Sequence, residues 1–520
     1  MADILTTIVE KRKADIERLG VTFGFKIPEE RQRPVHKFLC KKGVILEVKR
    51  ASPSKGDIAP DLDSAATARS YAEAGAAAIS CLTEGNFFKG TLEDLMKVCT
   101  AVDAFEKETS HPAPAVLRKD FLINEEEVEI AYRAGADAVL LIARILDESM
   151  IVKMAKAAAA HKMTSLVEVR SDDDIKKLST VAAAVDHEFI VCGVNSRDLA
   201  TFRIDLLKPC ALLGKIREVL GDDARVIFES GIRTPEAACF AGSLGFTGML
   251  LGEAAAKAPE LRKELVSSFV NAVPTKNAGF WNTVSTVVEC PRSGCIETTA
   301  ELSKPDIYGG FDKLNHRNHR PLIKICGLTR AEDVLYADSL GADFVGFIFA
   351  TGFGRNVCGE KFEAIMPVLK NVKAKKVAVI TDASSSEAET AARYVEEGVL
   401  DCIQLHGIDY SEVPERFLSL PHYFAITEKN GPITQTAEKL FHMGEPRFLQ
   451  DSKSQSYDTN HKLWLAGGVT PENAGELVSC YQPELIDVSS GVEDDEIGIK
   501  NHEKIKKMLK QVQHDCGGKE

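Results

Sequence analysis

The chain has 520 residues, too many for one core, and its hydrophobic (44%) and charged (27%) contents are ordinary for a globular protein. A formal net charge of -13 argues against a nucleic-acid partner, which needs a basic surface, but not against small anions held by backbone N–H groups. No apolar run is long enough to cross a bilayer. The N-terminal MADILTTIVEKRKADIERLG lacks a signal-peptide core, and the 13 scattered cysteines suit reduced thiols, so a cytoplasmic, membrane-free location is expected.

Ile4, Ile8, Ile16 and Leu19 fall on one face of a helix, which predicts packing on whatever follows. From residue 43, short apolar runs alternate with helix-like stretches. They are VILEVKR (44–50), AAISCLT (77–83), AVLRKDF (115–121), AVLLIAR (138–144), TSLVEV (164–169), FIVCGVN (189–195), RVIFESG (225–231) and GMLLGE (248–253). Continuous apolarity marks parallel strands covered by helices. Eight such units in about 220 residues predict a TIM (β/α)8 barrel.

Residues 271–320 are rich in Asn, Thr and Pro, carry the basic patch His316-Arg317-Asn318-His319-Arg320, and read as a linker or surface insertion. Cys290, Cys295, His316 and His319 could be drawn as a zinc site, but their spacings match no common one, and no metal is expected. The eight-strand count then recurs: LIKICGL (322–328), FVGFIF (344–349), KVAVITD (376–382), CIQLHG (402–407), YFAITE (423–428), RFLQDS (447–452), LWLAGGV (463–469) and LIDVSSG (485–491). A turn phrase, AGAAAI at 74–79, AGADAV at 134–139 and LGADFV at 340–345, places a helix-ending glycine just before a strand in both halves. The fold class is α/β: two tandem TIM barrels, 1–270 with an N-terminal helical extension and 321–512, joined by 271–320 and followed by a tail at 513–520.

The apolar strands carry polar residues where a barrel presents its active site, at their C-terminal ends. Glu47 and Lys49, two apart and so on the same side of strand one, are joined by Lys119 on strand three, Glu168 on five, Asn195 on six and Glu229 on seven. One strand-end charge is commonly a salt bridge; six polar residues on one barrel mouth, five of them charged, point to acid and base groups held at separate pKa values. Gly231 and Gly252, at the ends of strands seven and eight, offer backbone N–H groups to a phosphate.

EVKRASPSKG, LRKDF, LVEV, GVNSRDL, ESGI and LLGE, in that order over about residues 1–265, resemble indole-3-glycerol phosphate synthase. The resemblance implies closure of a pyrrole ring on carboxyphenylaminodeoxyribulose phosphate, with loss of carbon dioxide and water. It implies Lys119 as general acid and Glu168 as the base assisting dehydration. Lys49 would hold the substrate carboxylate, and Glu47, Asn195 and Glu229 would position substrate and tune the lysines. Ser52, Arg197, Ser230, Gly231, Gly252 and Glu253 would line the substrate and phosphate sites. Ser196 stands where the family often has Asn, and LLGEAAAK lacks the usual hydroxyl after Glu253.

KICGLTRAED, IQLHG, LAGGVTPEN and DVSSGVE, over about residues 321–512, resemble phosphoribosylanthranilate isomerase. This implies an Amadori rearrangement with Asp451 as acid and Cys326, as thiolate, as base. Arg355 would bind the anthranilate carboxylate, and Gly467, Gly468, Ser490 and Gly491 would hold phosphate. Two departures, SKSQSYDTNHK in place of a Gly-rich loop after Asp451 and Phe353-Gly354 in place of Ser-Pro, predict weaker substrate binding. Together the resemblances imply a tryptophan-biosynthesis fusion that needs no cofactor, acts on phosphorylated sugar–anthranilate substrates and works as a monomer. The alternatives are an active synthase fused to a decayed isomerase-like barrel, and a binding protein that uses the phosphate sites without catalysis; retained acid and base residues count against both. A sugar-phosphate isomerase of the histidine pathway would want paired aspartates at strand ends.

Overall fold

The computed structural model describes residues 4–198, 201–289 and 320–514. They divide into two compact units, the second starting at Thr275. The Cys290, Cys295, His316 and His319 set and most of the 513–520 tail lie outside the described residues. Among the described residues no helix is long and apolar enough to cross a membrane.

The first unit opens with α1 (Ile4–Leu19) and closes eight parallel strands into a barrel in chain order. They are β1 (Gly43–Val48), β2 (Ala78–Leu82), β3 (Ala115–Lys119), β4 (Ala138–Ile142), β5 (Thr164–Val169), β6 (Ile190–Asn195), β7 (Val226–Glu229) and β8 (Gly248–Leu251). Every residue of β1 is buried, as expected of a strand lined by its neighbours on both edges and covered by helices on one face. Ile45, Leu117, Leu140, Leu166, Ile227 and Leu250 form one apolar cluster. Two residues further along four of those strands stand Glu47, Lys119, Glu168 and Glu229, so the side-chain alternation lays a charged tier over an apolar one.

The second unit repeats the closure with β9 (Leu322–Ile325), β10 (Phe344–Ile348), β11 (Lys375–Ile380), β12 (Cys402–His406), β13 (His422–Thr427), β14 (Phe448–Asp451), β15 (Trp464–Ala466) and β16 (Leu485–Val488). β9 pairs in parallel with both β10 and β16 to shut the barrel. In both units the repeated turn phrase does what its glycine predicts: Gly75, Gly135 and Gly341 have φ of 88°, 101° and 86°, a left-handed conformation that ends a helix.

Two sequence expectations change. On α1 the packed face is Leu5, Ile8 and Arg12, while Ile16 is only half-buried and Leu19 is 39% exposed. The helix is rotated by a buried ion-pair cluster: Arg12 Nη1 donates to Asp120 Oδ1 (2.6 Å) and Arg12 Nε to Glu127 Oε1 (3.0 Å). The stretch read as a linker is helical in part: α2 (Lys276–Glu289) buries Phe280, Trp281 and Val284. The Trp281 ring centroid lies 5.9 Å from that of Trp464 on β15, so this helix belongs to the second barrel's packing.

Candidate active sites

In the first barrel one cavity is lined by Glu47, Lys49, Lys119, Glu168 and Asn195 from the strand ends, and by Ser52, Arg197, Ser230, Gly231, Gly252 and Glu253 from the loops. The structure thus brings together every residue named from the sequence for this barrel except Glu229, which does not line the cavity. Glu229 lies buried beneath Lys119 and accepts from its Nζ at 2.6 Å. It acts from below on Lys119 and, through its charge, on Glu168.

The pair read from strand one faces one way. Lys49 Nζ lies 3.3 Å from Glu47 Oε1, and Lys119 Nζ lies 4.0 Å from Glu47 Oε2. Glycines make room for these carboxylates: a Cβ at 252 would stand 2.6 Å from Glu47 Oε1, and one at 193 would collide with Glu229 Oε1. Gly252 therefore has a steric duty besides its expected contact with phosphate. The short helix Glu253–Lys257 follows it directly.

Electrostatics separate an acid from a base. Burial works against the Lys119 ammonium, but Glu229, Glu47 and Glu168 outweigh it and hold the group above the usual lysine range. Glu168 is pushed up to about 7 by burial and then by Glu229, against Lys119 and a hydrogen bond from Asn195. Glu47 is held below its ordinary value, since Lys49 and Lys119 overcome its burial. At neutral pH the cavity carries a committed proton donor on Lys119 and, on Glu168, a carboxyl poised to take or give a proton.

The cavity is roofed on one side by Ile4, Leu5 and Ile8 of α1 and by Phe88 and Phe121. Lys49 Nζ sits 5.3 Å from the centroid of the Phe88 ring. An apolar wall beside two ammonium groups suits a ligand with an aromatic ring and anionic substituents.

In the second barrel Cys326 directly follows β9 and Asp451 ends β14. Burial raises Asp451, with Lys324 and Lys453 opposing, which keeps a larger share of its carboxyl protonated than in water. His406 Nε2 stands 3.8 Å from Asp451 Oδ2, and burial followed by Lys324 lowers this histidine to about 4, so at neutral pH it is an uncharged neighbour. Burial pushes the Cys326 thiol up, opposed first by Lys324. Arg355 is held in a bidentate pair, Nε to Glu493 Oε1 (2.8 Å) and Nη2 to Glu493 Oε2 (2.6 Å), neither of which uses Nη1.

Gly467 and Gly468 have φ of 95° and 63°, and a Cβ on Gly467 or Gly491 would run into the backbone of Ser452 or Val469. Gly467 thereby lets the loop after β15 lie against the loop after β14, and Gly491, next to Ser490, lets the loop after β16 lie against the one after β15. The segment after Asp451 contains no glycine, yet it is tied down. Gln450 pairs with both backbone groups of Asp458 (3.0 and 2.7 Å), Tyr457 Oη donates to Ala466 O (3.0 Å) and Tyr481 Oη to Gln455 O (2.9 Å). Asp458, a second carboxylate in this segment, accepts from Asn460 Nδ2 at 2.9 Å and meets His461 Nδ1 at 2.6 Å.

Sequence reasoning missed Lys324, Gln404, Asp487 and Glu493. Lys324 lies two residues before Cys326 on an otherwise apolar strand, the same signal that exposed Glu47 and Lys49. Among the described residues no cluster of His, Cys, Asp and Glu is arranged to hold a metal ion.

Residues 5–267 match the family model described as indole-3-glycerol phosphate synthase, and residues 323–511 that of N-(5'phosphoribosyl)anthranilate isomerase. The chain is 34% identical over 275 residues to the indole-3-glycerol phosphate synthase of Exiguobacterium sibiricum, covering 52% of this chain and 96% of that protein. It is 28% identical over 512 residues to a multifunctional tryptophan biosynthesis protein of Schizosaccharomyces pombe (91% and 59%). To a tryptophan biosynthesis protein of Phytophthora nicotianae it is 29% identical over 507 residues (85% and 86%). The chain spans about three-fifths of the length of the multifunctional relatives.

Proposed function

Since the chain belongs to the indole-3-glycerol phosphate synthase family and its second barrel matches the phosphoribosylanthranilate isomerase model, we propose that it performs both reactions in succession. The second barrel turns N-(5-phosphoribosyl)anthranilate into carboxyphenylaminodeoxyribulose phosphate. The first closes that product to indole-3-glycerol phosphate. The observation that carries the reading is the separation of acid from base in the first cavity, where Lys119 is held protonated by three carboxylates while Glu168 is raised to about 7.

In ring closure Lys119 donates its proton to the ketone oxygen as the aromatic carbon attacks the carbonyl carbon. Loss of carbon dioxide from the attacking ring carbon returns the C–CO2 electron pair to the ring. Glu168 then takes a proton from the ring CH2 beside nitrogen, that C–H electron pair becomes the indole double bond, and the hydroxyl leaves as water with a proton from Lys49. Lys49 meets the carboxylate that is lost. Ser52, Arg197, Ser230, Gly231, Gly252 and Glu253 surround the rest of the substrate, with backbone N–H groups at the two glycines on the phosphate. In the isomerisation Asp451 protonates the furanose oxygen to open the ring, and the Cys326 thiolate removes the proton from C2. Arg355 takes the anthranilate carboxylate through Nη1, and Gly467, Gly468, Ser490 and Gly491 take the phosphate.

The test is to assay the purified chain separately with each substrate. The reading expects turnover of both. Ring closure without isomerisation would leave the second barrel as a structural partner.

A further inference from the structure

The alternation of β9 puts Lys324 and Cys326 on the same side of the strand. An ammonium has three N–H donors, and at Lys324 all three are aimed: at Gln404 Oε1 (2.7 Å), Asp487 Oδ2 (2.6 Å) and Cys326 Sγ (3.3 Å). Lys324 is fully buried, and Gln404 and Asp487 nearly so. Gln404 is itself oriented, because its Oε1 also accepts from Tyr423 Oη at 2.9 Å. The strand alongside gives way to this arrangement: a Cβ on Gly346 would stand 2.8 Å from Cys326 Sγ and 3.2 Å from Lys324 Cε.

A buried Lys–Asp pair is a poor way to stabilise a barrel, since apolar residues of similar volume usually serve as well. The pair alone also does not need the third N–H on a sulfur. We propose that Lys324 is a positioning residue for the isomerase base: held by Asp487 and Gln404, it keeps one N–H on Cys326 Sγ and so favours the thiolate. The inference rests on the reading of Cys326 as that base. In the step it serves, the thiolate lone pair takes the C2 proton of the ring-opened iminium. The C2–H electron pair becomes the C1–C2 double bond, the C–N π pair moves to nitrogen, and a thiol and a neutral enolamine result. Lys324 keeps its own proton throughout.

The groups facing the thiol are few. Lys324 from β9, Lys500 and Arg355 favour its anion, while Asp487 from β16 and burial oppose it, and Tyr423 from β13 stands behind Lys324. Of the favourable influences Lys324 is the first.

The experiment is iodoacetamide alkylation of the full chain as a function of pH, with Cys326 followed by mass spectrometry of its peptide, beside isomerase kinetics. Lys324→Met is expected to slow Cys326 alkylation about tenfold or more near neutral pH, to move its pH midpoint upward, and to lower isomerase kcat with KM little changed. Lys324→Met combined with Asp487→Leu strands no buried charge and is expected to shift alkylation the same way, so it serves if the single variant does not fold. An unchanged alkylation profile in either folded variant overturns the proposal. If the unaltered chain does not turn over phosphoribosylanthranilate, the isomerase reading falls, and the alkylation profile still decides the Lys324–Cys326 pairing.

Discussion

The two barrels share a topology and solve one chemical problem with opposite charges. In the first, the proposed acid is an ammonium, kept protonated by crowding Glu229, Glu47 and Glu168 around Lys119. In the second, the proposed acid is a carboxyl, Asp451, raised by burial, and the buried cation is Lys324 beside the thiol. A strand-end group can therefore be kept protonated by surrounding an ammonium with charge of the opposite sign or by taking a carboxyl out of water. The first route needs several partners on neighbouring strands, and the second needs only depth.

The largest way to break this comparison is to remove one proton carrier from each barrel. Lys119→Ala is expected to cut ring closure by about 10²- to 10⁴-fold and leave isomerisation intact, and Cys326→Ala to do the reverse, as separate steady-state assays would read. Next comes Trp281→Ala, expected to destabilise the second barrel by about 3–5 kcal/mol while the first melts as before, which calorimetry resolves if the units unfold separately. A fragment starting at residue 275 should accordingly be more stable than one starting at 319.

Asp451→Asn should lower isomerase kcat by about 10²-fold or more. Near-normal turnover would pass the acid role to another group, although Asp458 is already engaged by His461 and Asn460. The smallest expected effect is on stability. Glu168 is raised to about 7 in the folded state, so between its unfolded value and about 7 the folded chain holds a proton that the unfolded chain has released. That stability is full below about pH 4.5 and is lost as pH rises through about 7. Glu168→Gln should therefore stabilise the chain at about pH 8, by up to about 3 kcal/mol, and change little at about pH 5, as urea titrations at the two pH values would show.

The strands and most of the first site were legible because parallel strands are continuously apolar, so each intruding Glu47, Lys119 or Glu168 stands out. Lys324 and Asp487 carry the same signal in LIKI and LIDV, but each is a single charge on a short strand, a pattern that a buried ion pair also produces. The rotation of α1 was not legible: it depends on Arg12 meeting Asp120 and Glu127, more than a hundred residues away, and an apolar stripe cannot report a buried arginine. α2 was hidden by its composition, since KNAGFWNTVSTVVE is rich in residues of low helix propensity. Only Phe280, Trp281 and Val284, spaced to share a face, marked it.

The central claim, two independent sites acting in succession, is tested most directly by mixing the two disabled chains. Phosphoribosylanthranilate is supplied to Lys119→Ala, to Cys326→Ala, and to an equimolar mixture, and indole-3-glycerol phosphate is measured. Lys119→Ala alone is expected to stop at carboxyphenylaminodeoxyribulose phosphate, Cys326→Ala alone to leave the substrate unchanged, and the mixture to reach the indole product. A mixture of folded variants that yields no indole product, or either single variant that yields it at the unaltered rate, would contradict the account.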